Sequence, residues 1–429
     1  MLLLYNVLYI SLCLLTAPVI ISIILSSQKR RKTSIYRLGL YGHHVHLKNT
    51  NRPLWIHALS VGEVISAVPL VKKIKQCLKD KDIIFSTTTT TGFEIANRLL
   101  KDDLNSIFFF PHDFLFSVKH VAKLAEPSAV IIVESDIWPN FLFEMKHRNI
   151  PVFLVNARLS QKSFLGYKMI MFFTKKVFSS FAKICAQSEE DAGHFRMLNK
   201  NFNGVAVTGN LKFDQTHEPV STGELESIRK SFNIGQKQKV LVAGSTHKGE
   251  EELLLNIFIR LKKNFNDLVF IITPRDPKRS EYVCKLYKSA GFTADLMTKA
   301  IKTSSGIRPD VIIIDKIGVL KKIYALADVA FIGGSFAKRG GHNPLEPAAY
   351  SRPVIFGPDM SNFSEIADLL LKSKGALQVK DEKEFYKAVL LLLGNRKNSE
   401  QTGKNAFEVF YSNKGAVEKT LREIISFPW

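Results

Sequence analysis

Short apolar runs alternate with longer amphipathic stretches along most of this chain. A first series of runs occupies residues 54–58, 83–87, 106–110, 129–133, 152–156 and 183–186, with helical stretches such as 63–79 and 92–100 between them. A second series occupies residues 240–243, 268–273, 311–315, 329–333 and 353–356. This alternation predicts βα units that build parallel sheets, so the fold class is α/β.

The two series predict two domains, in keeping with a length of 429 residues. A polar stretch with Pro and Gly, residues 215–223, separates the series and is the predicted linker. We therefore expect an N-terminal domain over residues 29–214 and a C-terminal domain over residues 224–429. Ligands of open α/β sheets bind beyond the carboxyl ends of the strands, so the two sheets are expected to face one cleft.

The chain begins with an uncharged apolar segment, residues 2–26, which is long enough to cross a hydrocarbon core about 30 Å thick. We predict a membrane anchor over residues 1–28. The basic cluster Lys29 to Lys32 follows it, and the positive-inside rule then places the rest of the chain in the cytoplasm. Pro18 lies inside this segment, so two alternatives stay open. The helix spans the bilayer, or it lies in one leaflet.

The chain is strongly basic, with 60 Lys and Arg against 39 Asp and Glu and a formal net charge of +21. The electrostatic field of this charge suits a polyanionic partner, either anionic lipid or nucleic acid. A contribution of the charge to solubility alone is a second explanation. A basic cluster beside an apolar helix favours lipid. The sequence has no helix-turn-helix or RNP-like motif, so we expect no nucleic-acid partner.

Two motifs of the first series follow strands and carry acidic residues. WIHALSVGE (55–63) places Glu63 near a helix start, with Gly62 allowing a tight turn, and VESDIWPN (133–140) places Glu134 and Asp136 after a strand. Carboxylates at strand ends suit acid/base work or hydroxyl binding. The structural alternative is helix capping, by Ser60 or by Glu63 itself in the first motif.

The second series carries three motifs that suit a phosphate-containing ligand. In AGSTHKGEEE (243–252), Ser245 and Thr246 lead into a helix whose N–H groups are expected to be free for phosphate. In PRDPKR (274–279), a rigid turn presents Arg275 to phosphate or carboxylate, unless it is only a solvated basic turn. Glu250 and Glu251 stand where a P-loop needs Lys and Ser or Thr, which argues against ATP hydrolysis.

The third of these motifs is the Gly-rich loop FIGGSFAKRGGHNPLEPAAYSRPVIFGPD (331–359). Its glycines, including Gly333 and Gly334, allow close approach of the backbone to a ligand. Asn343 and Glu346 bracket a predicted helix start, and Glu346 is placed to accept hydrogen bonds from ribose hydroxyls.

We predict no metal site and no cofactor. The histidine cluster of residues 43, 44 and 46 lacks the i, i+4 spacing of a zinc hydrolase. The cysteines lie far apart, without a CxxC pair, at positions Cys13, Cys77, Cys185 and Cys284.

Taken in order, these motifs closely resemble the signature segments of the 3-deoxy-D-manno-octulosonic acid (Kdo) transferase family, as do QSEEDAGHFRMLN (187–199) and VTGNLKFD (207–214). The resemblance runs from about residue 38 to about residue 415. It implies a GT-B fold and transfer of Kdo from CMP-Kdo to the glucosamine disaccharide of a lipid A precursor, with inversion at the anomeric carbon. It also implies the inner membrane of a bacterium and a cytoplasmic catalytic body.

The same resemblance assigns roles to individual residues. The general base of the family falls on Glu63, and its second acidic motif on Glu134 and Asp136. The residues that would bind CMP-Kdo are Ser245, Thr246, Arg275, Gly334, Ser335, Asn343 and Glu346.

Three positions depart from the family pattern, namely Asp276 and Asp359, which replace histidines, and Val319, which replaces a glutamate. Two alternatives stay open beside the Kdo transferase. One is another membrane-associated GT-B enzyme with a donor such as UDP-N-acetylglucosamine, and the other is a membrane-tethered nucleic-acid-binding protein.

Overall fold

The computed structural model describes residues 2–41, 52–215, 219–300 and 308–428. The chain divides into two compact units, and the first is built from both ends of the sequence. Unit 1 comprises Met1–Thr216 and Asn413–Trp429, and unit 2 comprises His217–Ser412.

The described helices and strands of unit 1 alternate after two N-terminal helices. The helices are α1 (Leu2–Leu25), α2 (Gln28–Arg37), α3 (Val61–Cys77), α4 (Thr90–Leu100), α5 (Leu115–Ala125), α6 (Pro139–His147), α7 (Gln161–Met169), α8 (Met171–Phe178) and α9 (Glu189–Leu198). The strands are β1 (Leu54–His57), β2 (Ile83–Thr87), β3 (Ser106–Phe109), β4 (Ala129–Val133), β5 (Val152–Ala157), β6 (Lys183–Ala186) and β7 (Val205–Val207).

The described strands of unit 1 form one parallel sheet in the order β3-β2-β1-β4-β5-β6-β7. The chain thus reverses its winding direction between β1 and β4, which pair from Leu54 against Ala129 to His57 against Ile132. The central strands are apolar and fully buried, as expected for a sheet covered by helices on both faces. Such a reversal point opens a crevice at the carboxyl ends of the strands.

Unit 2 repeats this architecture. Its described helices are α10 (Thr222–Ser231), α11 (Glu250–Lys262), α12 (Ser280–Ser289), α13 (Met297–Ala300), α14 (Leu320–Tyr324), α15 (Leu345–Ala348), α16 (Ser364–Lys372), α17 (Glu382–Gly394) and α18 (Arg396–Ser412). Its described strands are β8 (Val240–Thr246), β9 (Val269–Pro274), β10 (Ala294–Leu296), β11 (Val311–Ile313), β12 (Val329–Ile332), β13 (Val354–Phe356) and β14 (Ala376–Gln378). They form a parallel sheet in the order β10-β11-β9-β8-β12-β13-β14.

The last helix, α19 (Ala416–Ile425), belongs to unit 1. The predicted C-terminal domain, residues 224–429, therefore differs from unit 2, which ends at Ser412. The backbone N–H groups of Gly415 and Val417 donate to the Asp214 carboxylate at 2.7 and 2.6 Å. Apolar side chains of α19, including Leu421 and Ile424, pack into a core cluster of unit 1, and burial of that face explains the assignment.

The sequence-based strands match the observed ones to within three residues at each end, and two parallel α/β sheets were expected. Three short strands, β7, β10 and β14, were missed. Each is three residues long and lies at an edge of its sheet, so it carries too few residues for a hydrophobic period to stand out.

Helix α1 covers the segment that the sequence analysis predicts to be a membrane anchor. It has 24 residues with a mean hydropathy of 2.5 over an 18-residue window, enough by length and composition to cross a membrane. Pro18 lies inside it.

Candidate functional site

In unit 1 the predicted acidic residues lie beyond the carboxyl ends of neighbouring strands β1 and β4. Glu63 is in the first turn of α3, which begins after the β1 loop, and Glu134 follows β4 directly. The expectation of a tight turn at Gly62 was wrong, because Gly62 lies within α3 and has no positive φ. An added Cβ at Gly62 would meet only Ser60 Oγ at 4.0 Å, so the space beside Glu63 is open.

Glu63 is half-buried and partly held by its own loop. Its Oε2 accepts a hydrogen bond of 2.6 Å from the Leu59 N–H, and its Oε1 lies 3.5 Å from Ser60 Oγ. Burial, followed by the charge of Glu134, raises the pKa of Glu63 to about 8, although the Leu59 N–H acts in the opposite sense. Within the described residues no Lys, Arg or His forms an ion pair with Glu63. A carboxyl group poised near neutrality without a cation is suited to proton transfer.

Glu134 adopts a backbone conformation that side chains other than glycine rarely take, with φ of 66°. Its Oε1 lies 3.6 Å from Lys212 Nζ and 3.5 Å from Asn156 Nδ2, while its N–H donates to Val155 O at 2.8 Å. Strain of this kind costs on the order of 1–3 kcal/mol and is concentrated at functional sites. Lys212 is thus a cation beside the Glu134 carboxylate, whereas no ion pair of Glu63 occurs among the described residues.

Asp136 is buried and has a histidine partner that sequence reasoning missed. His57 Nε2 lies 2.6 Å from Asp136 Oδ2, and its Nδ1 lies 2.9 Å from Ser86 Oγ. Phe110 stacks on the imidazole at a centroid distance of 3.9 Å. His57 stands inside WIHALSVGE, but it is a residue of β1 that points into the protein, which the motif alone does not reveal.

A buried amide network connects Glu134 to the segment VTGNLKFD. Asn156 Oδ1 accepts from the Leu211 N–H at 2.9 Å, and Gln187 Nε2 donates to Asn156 O at 2.8 Å. Asn210 Nδ2 in turn donates to Gln187 Oε1 at 2.9 Å. This network fixes the 3-10 helix Leu211–Asp214, which carries Lys212, relative to β5. No role had been assigned to these residues from the sequence.

In unit 2 the predicted donor-binding residues collect at the carboxyl ends of β8, β9 and β12. Ser245 is strained, with φ of 56°, and Gly333 packs so closely that an added Cβ would lie 2.3 Å from Ser245 O. Thr246 is fully buried, and its Oγ1 donates to Glu251 Oε1 at 3.2 Å. A glycine is required at position 333 because the two loops touch backbone to backbone.

The N–H groups expected to be free for phosphate at this helix start are occupied by carboxylates, so that expectation was wrong. Helix α11 begins only at Glu250, and the Glu250 carboxylate accepts from the N–H groups of His247, Gly334 and Phe336 at 2.9, 2.8 and 3.0 Å. Glu252 accepts from the Gly249 N–H at 2.9 Å. The first turn of α11 is closed by its own acidic residues, which the run of three glutamates signals in retrospect.

Arg275 directly follows β9 and is exposed. Its backbone N–H donates to Thr246 O at 2.9 Å. Its guanidinium forms no hydrogen bond or ion pair within the part of the chain that the structure describes. Burial raises the pKa of Glu346, whereas the charges of Lys321 and Arg275 lower it, which places Glu346 in the field of Arg275. An arginine without a protein partner at a strand end is available to an anion.

The Gly-rich loop holds the remaining predicted residues. Ser335 Oγ donates to Ile332 O at 2.6 Å and accepts from the Gly357 N–H at 2.8 Å, so its hydroxyl proton is used within the protein. Asn343 Oδ1 accepts from the Leu345 N–H at 3.1 Å, just before α15, and Glu346 lies in the first turn of this helix, as predicted. Gly334 has a φ of 75°.

A pair of histidines lies beside these residues and was not singled out from the sequence. His247 Nε2 is 2.9 Å from His342 Nε2, and the two rings are nearly parallel. Burial lowers the pKa of His342 to about 4, with smaller contributions from Arg275 and His247. The region around Arg275 is thus cationic, and the His342 imidazole beside it is held neutral.

The departures from the family pattern have local structural roles. Asp276 Oδ1 accepts from the Lys278 N–H at 3.0 Å and caps a short 3-10 helix. Asp359 Oδ2 accepts from the Gly340 N–H at 2.8 Å, a bond that lowers the pKa of Asp359. Val319 precedes α14 at its N-cap position. Both aspartates therefore stabilise turns through backbone N–H groups.

The described residues include no group of three or more His, Cys, Asp and Glu side chains that could hold a metal ion. The predicted histidine cluster at 43, 44 and 46 lies outside the described residues.

Comparisons with known proteins agree on one family. Residues 34–215 match the family described as 3-deoxy-D-manno-octulosonic-acid transferase (kdotransferase). The chain is 32% identical over 422 residues to the 3-deoxy-D-manno-octulosonic acid transferase of Haemophilus influenzae, covering 96% of each chain. It is 32% identical over 377 residues to the enzyme of the same name from Rickettsia felis, covering 87% of this chain and 79% of that one.

The fold has counterparts among solved structures. MurG of Acinetobacter baumannii superposes with a TM-score of 0.53 at 13% identity, covering 88% of this chain and 100% of that one. This similarity, together with the two parallel sheets, confirms the predicted GT-B class of fold.

Proposed function

Because the chain belongs to the 3-deoxy-D-manno-octulosonic acid transferase family, and is therefore a glycosyltransferase, we propose that it transfers Kdo from CMP-Kdo to a lipid A precursor. The acceptor is a tetraacyldisaccharide 4'-phosphate type of molecule, and the reaction inverts the anomeric carbon. The product is the first sugar linkage of a lipopolysaccharide core.

The observation that best supports this proposal is the environment of Glu63. Transfer with inversion requires a base that removes the proton of the acceptor hydroxyl as the new glycosidic bond forms. Glu63 is half-buried, has a pKa raised to about 8 and adjoins open space at Gly62. In this mechanism the ionised Glu63 accepts the hydroxyl proton, and CMP leaves from the opposite face of the sugar.

Glu134 and Asp136 act on Glu63 through their charge. Each has a partner of its own, Lys212 for Glu134 and His57 for Asp136, whereas no cationic side chain among the described residues forms an ion pair with Glu63. Their negative charges raise the affinity of Glu63 for a proton. We therefore assign them as electrostatic and positioning residues, with Glu63 as the base.

The donor is bound by unit 2. The leaving group is a phosphate ester of cytidine, and cationic or N–H groups are needed to stabilise its developing charge. Arg275 supplies a guanidinium that is available to this charge, and Glu346 is assigned to the ribose hydroxyls. The surrounding loops are shaped by Ser245, Thr246, Gly334, Ser335 and Asn343.

The membrane partner follows from the acceptor. A lipid A precursor is anchored by acyl chains and carries phosphates, in keeping with the net charge of +21 and with the apolar helix α1. We assign the enzyme to the cytoplasmic face of a bacterial inner membrane. The proposal gives no role to nucleic acid, metal or cofactor.

Titration calorimetry of the full-length protein in detergent distinguishes this donor from the alternative GT-B donors. We expect CMP to bind at least tenfold more tightly than UDP or UMP. Tighter binding of UDP would favour a transferase that uses a UDP-activated sugar and would contradict the CMP-Kdo assignment.

A further inference from the structure

The beginning of α1 is attached to unit 1 through polar contacts. The Tyr5 hydroxyl donates to Asp113 Oδ2 at 2.8 Å, and the amides of Asn6 and Asn140 exchange two hydrogen bonds of 2.9 and 2.8 Å. Asp113 is fully buried and also accepts from the N–H groups of Asn140 and Phe141, at the start of α6. The polar side chains at the start of α1 are therefore matched to polar groups of the protein.

Aromatic contacts extend this attachment over the first two turns. Tyr5 stacks on Phe173 of α8 at 5.8 Å between centroids, and Tyr9 packs on Phe114 at 5.2 Å. Along the whole of α1 the less exposed residues recur on one face, at positions 2, 5, 6, 9, 13, 16, 17 and 24, and the rest are exposed. This spacing is that of a helix with one side against protein.

The chain returns to the same place after α1. Helix α2 runs back from the turn at Ser26, and Arg37 Nε donates to Phe110 O at 3.1 Å. Tyr36 stacks on Phe109, and the His112 N–H donates to Arg37 O at 2.7 Å. The last residue of β3 and the loop after it, residues 109–114, thus hold both the start of α1 and the end of α2.

These contacts are incompatible with α1 crossing a bilayer, whichever end of the helix lies on the far side. If the start of α1 lay on the far side of a bilayer, Tyr5 and Asn6 would lose their partners in unit 1. If the end of α1 lay on the far side, α2 would have to cross back, although its 10 residues span only about 15 Å and carry Arg30 and Arg31. A hydrocarbon core is about 30 Å thick and disfavours such charges.

We propose that α1 does not cross the bilayer but lies within one leaflet, attached to unit 1 by the Tyr5–Asp113 and Asn6–Asn140 contacts. Its other face presents Leu3, Leu8 and Leu15 to acyl chains; Leu15 is 81% exposed. The helix is a fixed part of the membrane-facing surface of unit 1 and not a flexible tether.

A second apolar surface lies next to α1 and is further evidence that this face of unit 1 contacts lipid. The corner between α7 and α8 exposes Met169 by 87% and Phe172 by 74%, and Phe173 of this corner is the residue on which Tyr5 stacks. Residues 161–178 contain four lysines and no acidic residue. Apolar side chains bordered by lysines fit an anionic lipid surface, which is why we choose lipid over a protein partner.

Disulfide cross-linking in native membranes tests the attachment. In a background with Cys13, Cys77, Cys185 and Cys284 replaced by alanine, the pair Tyr9→Cys and Phe114→Cys is oxidised with copper phenanthroline. The matched control pairs Phe114→Cys with Leu8→Cys, because Leu8 is 62% exposed and is not one of the less exposed residues that face unit 1. We expect the first pair to cross-link at least tenfold faster than the control. Equal rates for the two pairs would overturn the proposal.

Sidedness gives a second, independent measurement on the chain with its natural cysteines. Inside-out membrane vesicles carrying the protein with a protease-cleavable tag at the N-terminus, or in a second version at the C-terminus, are treated with protease. A helix in one leaflet predicts that both tags are cleaved from the same side. Protection of the N-terminal tag alone would mean that α1 spans the membrane. Neither measurement uses transferase activity, so the outcome is independent of the proposed donor and acceptor.

Discussion

Nε2 of His57 lies 2.6 Å from Oδ2 of Asp136, and both side chains are buried at the carboxyl end of the unit 1 sheet. The imidazole is fixed on its other edge by Ser86 and on its face by Phe110. Asp136 is thereby held in one position near Glu63, whose pKa it helps to raise.

Removing His57 should be costly because it leaves a buried carboxylate without its partner. We expect His57→Ala to lower the free energy of unfolding by about 3–5 kcal/mol, as found when buried pairs are broken. Urea denaturation measures the change. The double variant His57→Ala/Asp136→Asn should lose less than the sum of the single variants, and strict additivity would show that the two side chains are not coupled.

Glu63→Gln should abolish transfer while leaving donor binding intact. The amide keeps the size of the side chain and accepts the Leu59 hydrogen bond, but it cannot accept the proton. The loss of a general base typically costs about 10²- to 10⁴-fold in rate. Turnover and CMP affinity are compared with those of Glu226→Gln, an exposed residue of α10. Near wild-type turnover would remove Glu63 from the mechanism.

The raised pKa of Glu63 also predicts how stability depends on pH. The folded state binds the Glu63 proton more tightly, since the pKa rises from 4.5 to about 8 on folding. The stabilising effect of that proton is therefore complete below pH 4.5 and is lost as the pH rises through 8. Glu63→Gln cannot ionise, so its melting temperature should rise relative to that of the wild type as the pH increases from 4.5 to about 8, and the difference should then level off. A difference between the two proteins that does not change with pH would contradict the raised pKa.

Ionisation of Glu63, which lowers the stability of the protein, should raise its activity. Only ionised Glu63 can accept a proton, so kcat/KM should rise with pH and level off above about 8. A stopped assay at saturating acceptor and limiting CMP-Kdo measures the profile. A rate that is flat between about pH 6 and about pH 9 would argue for a different base.

Arg275 offers a direct test of the donor site. We expect Arg275→Ala to weaken CMP binding about 10- to 100-fold, because hydrogen bonds to charged groups contribute about 1.5–3 kcal/mol. Lys278→Ala is the matched control, since Lys278 is an exposed cation of the same turn. Equal CMP affinities for the two variants would place Arg275 outside the donor site.

Gly333→Ala tests the close contact of the two loops in unit 2. The added Cβ would lie 2.3 Å from Ser245 O, whereas a Cβ added at Gly223 in α10 would meet no atom within 4 Å. We expect Gly333→Ala to destabilise the protein by about 1–3 kcal/mol and to weaken CMP binding. Gly223→Ala should be neutral or stabilising. A thermal shift assay with and without CMP compares the two variants, and equal melting temperatures would contradict the close contact.

The sequence was sufficient to predict the fold because the central parallel strands are buried runs of mostly apolar residues. The order Leu54, Trp55, Ile56, His57 reads as such a run, and all four residues are buried. The same reasoning placed Glu63, Glu134 and Asp136 after their strands. It could not find the partners of these residues, since His57 pairs with a residue 79 positions away.

The helix start in AGSTHKGEEE was misjudged for a related reason. Free N–H groups are the rule at a helix N-terminus, but here Glu250 and Glu252 bind the N–H groups of His247 and Gly249. Glu250 also binds N–H groups of a loop 84 and 86 residues farther along the chain. The packing of α1 on unit 1 depends on equally distant contacts, such as Asn6 with Asn140. Local patterns predict elements and not which polar groups meet across the fold.

Mass spectrometry of the reaction product measures the proposed transfer of Kdo itself. Purified full-length protein is incubated with CMP-Kdo and a tetraacyldisaccharide 4'-phosphate lipid A precursor in detergent, with Glu63→Gln in parallel. We expect the acceptor to gain the mass of one or more Kdo residues and CMP to be released, with little or no product from the variant. An unchanged acceptor with the wild-type protein, or equal product from the Glu63→Gln variant, would contradict this expectation.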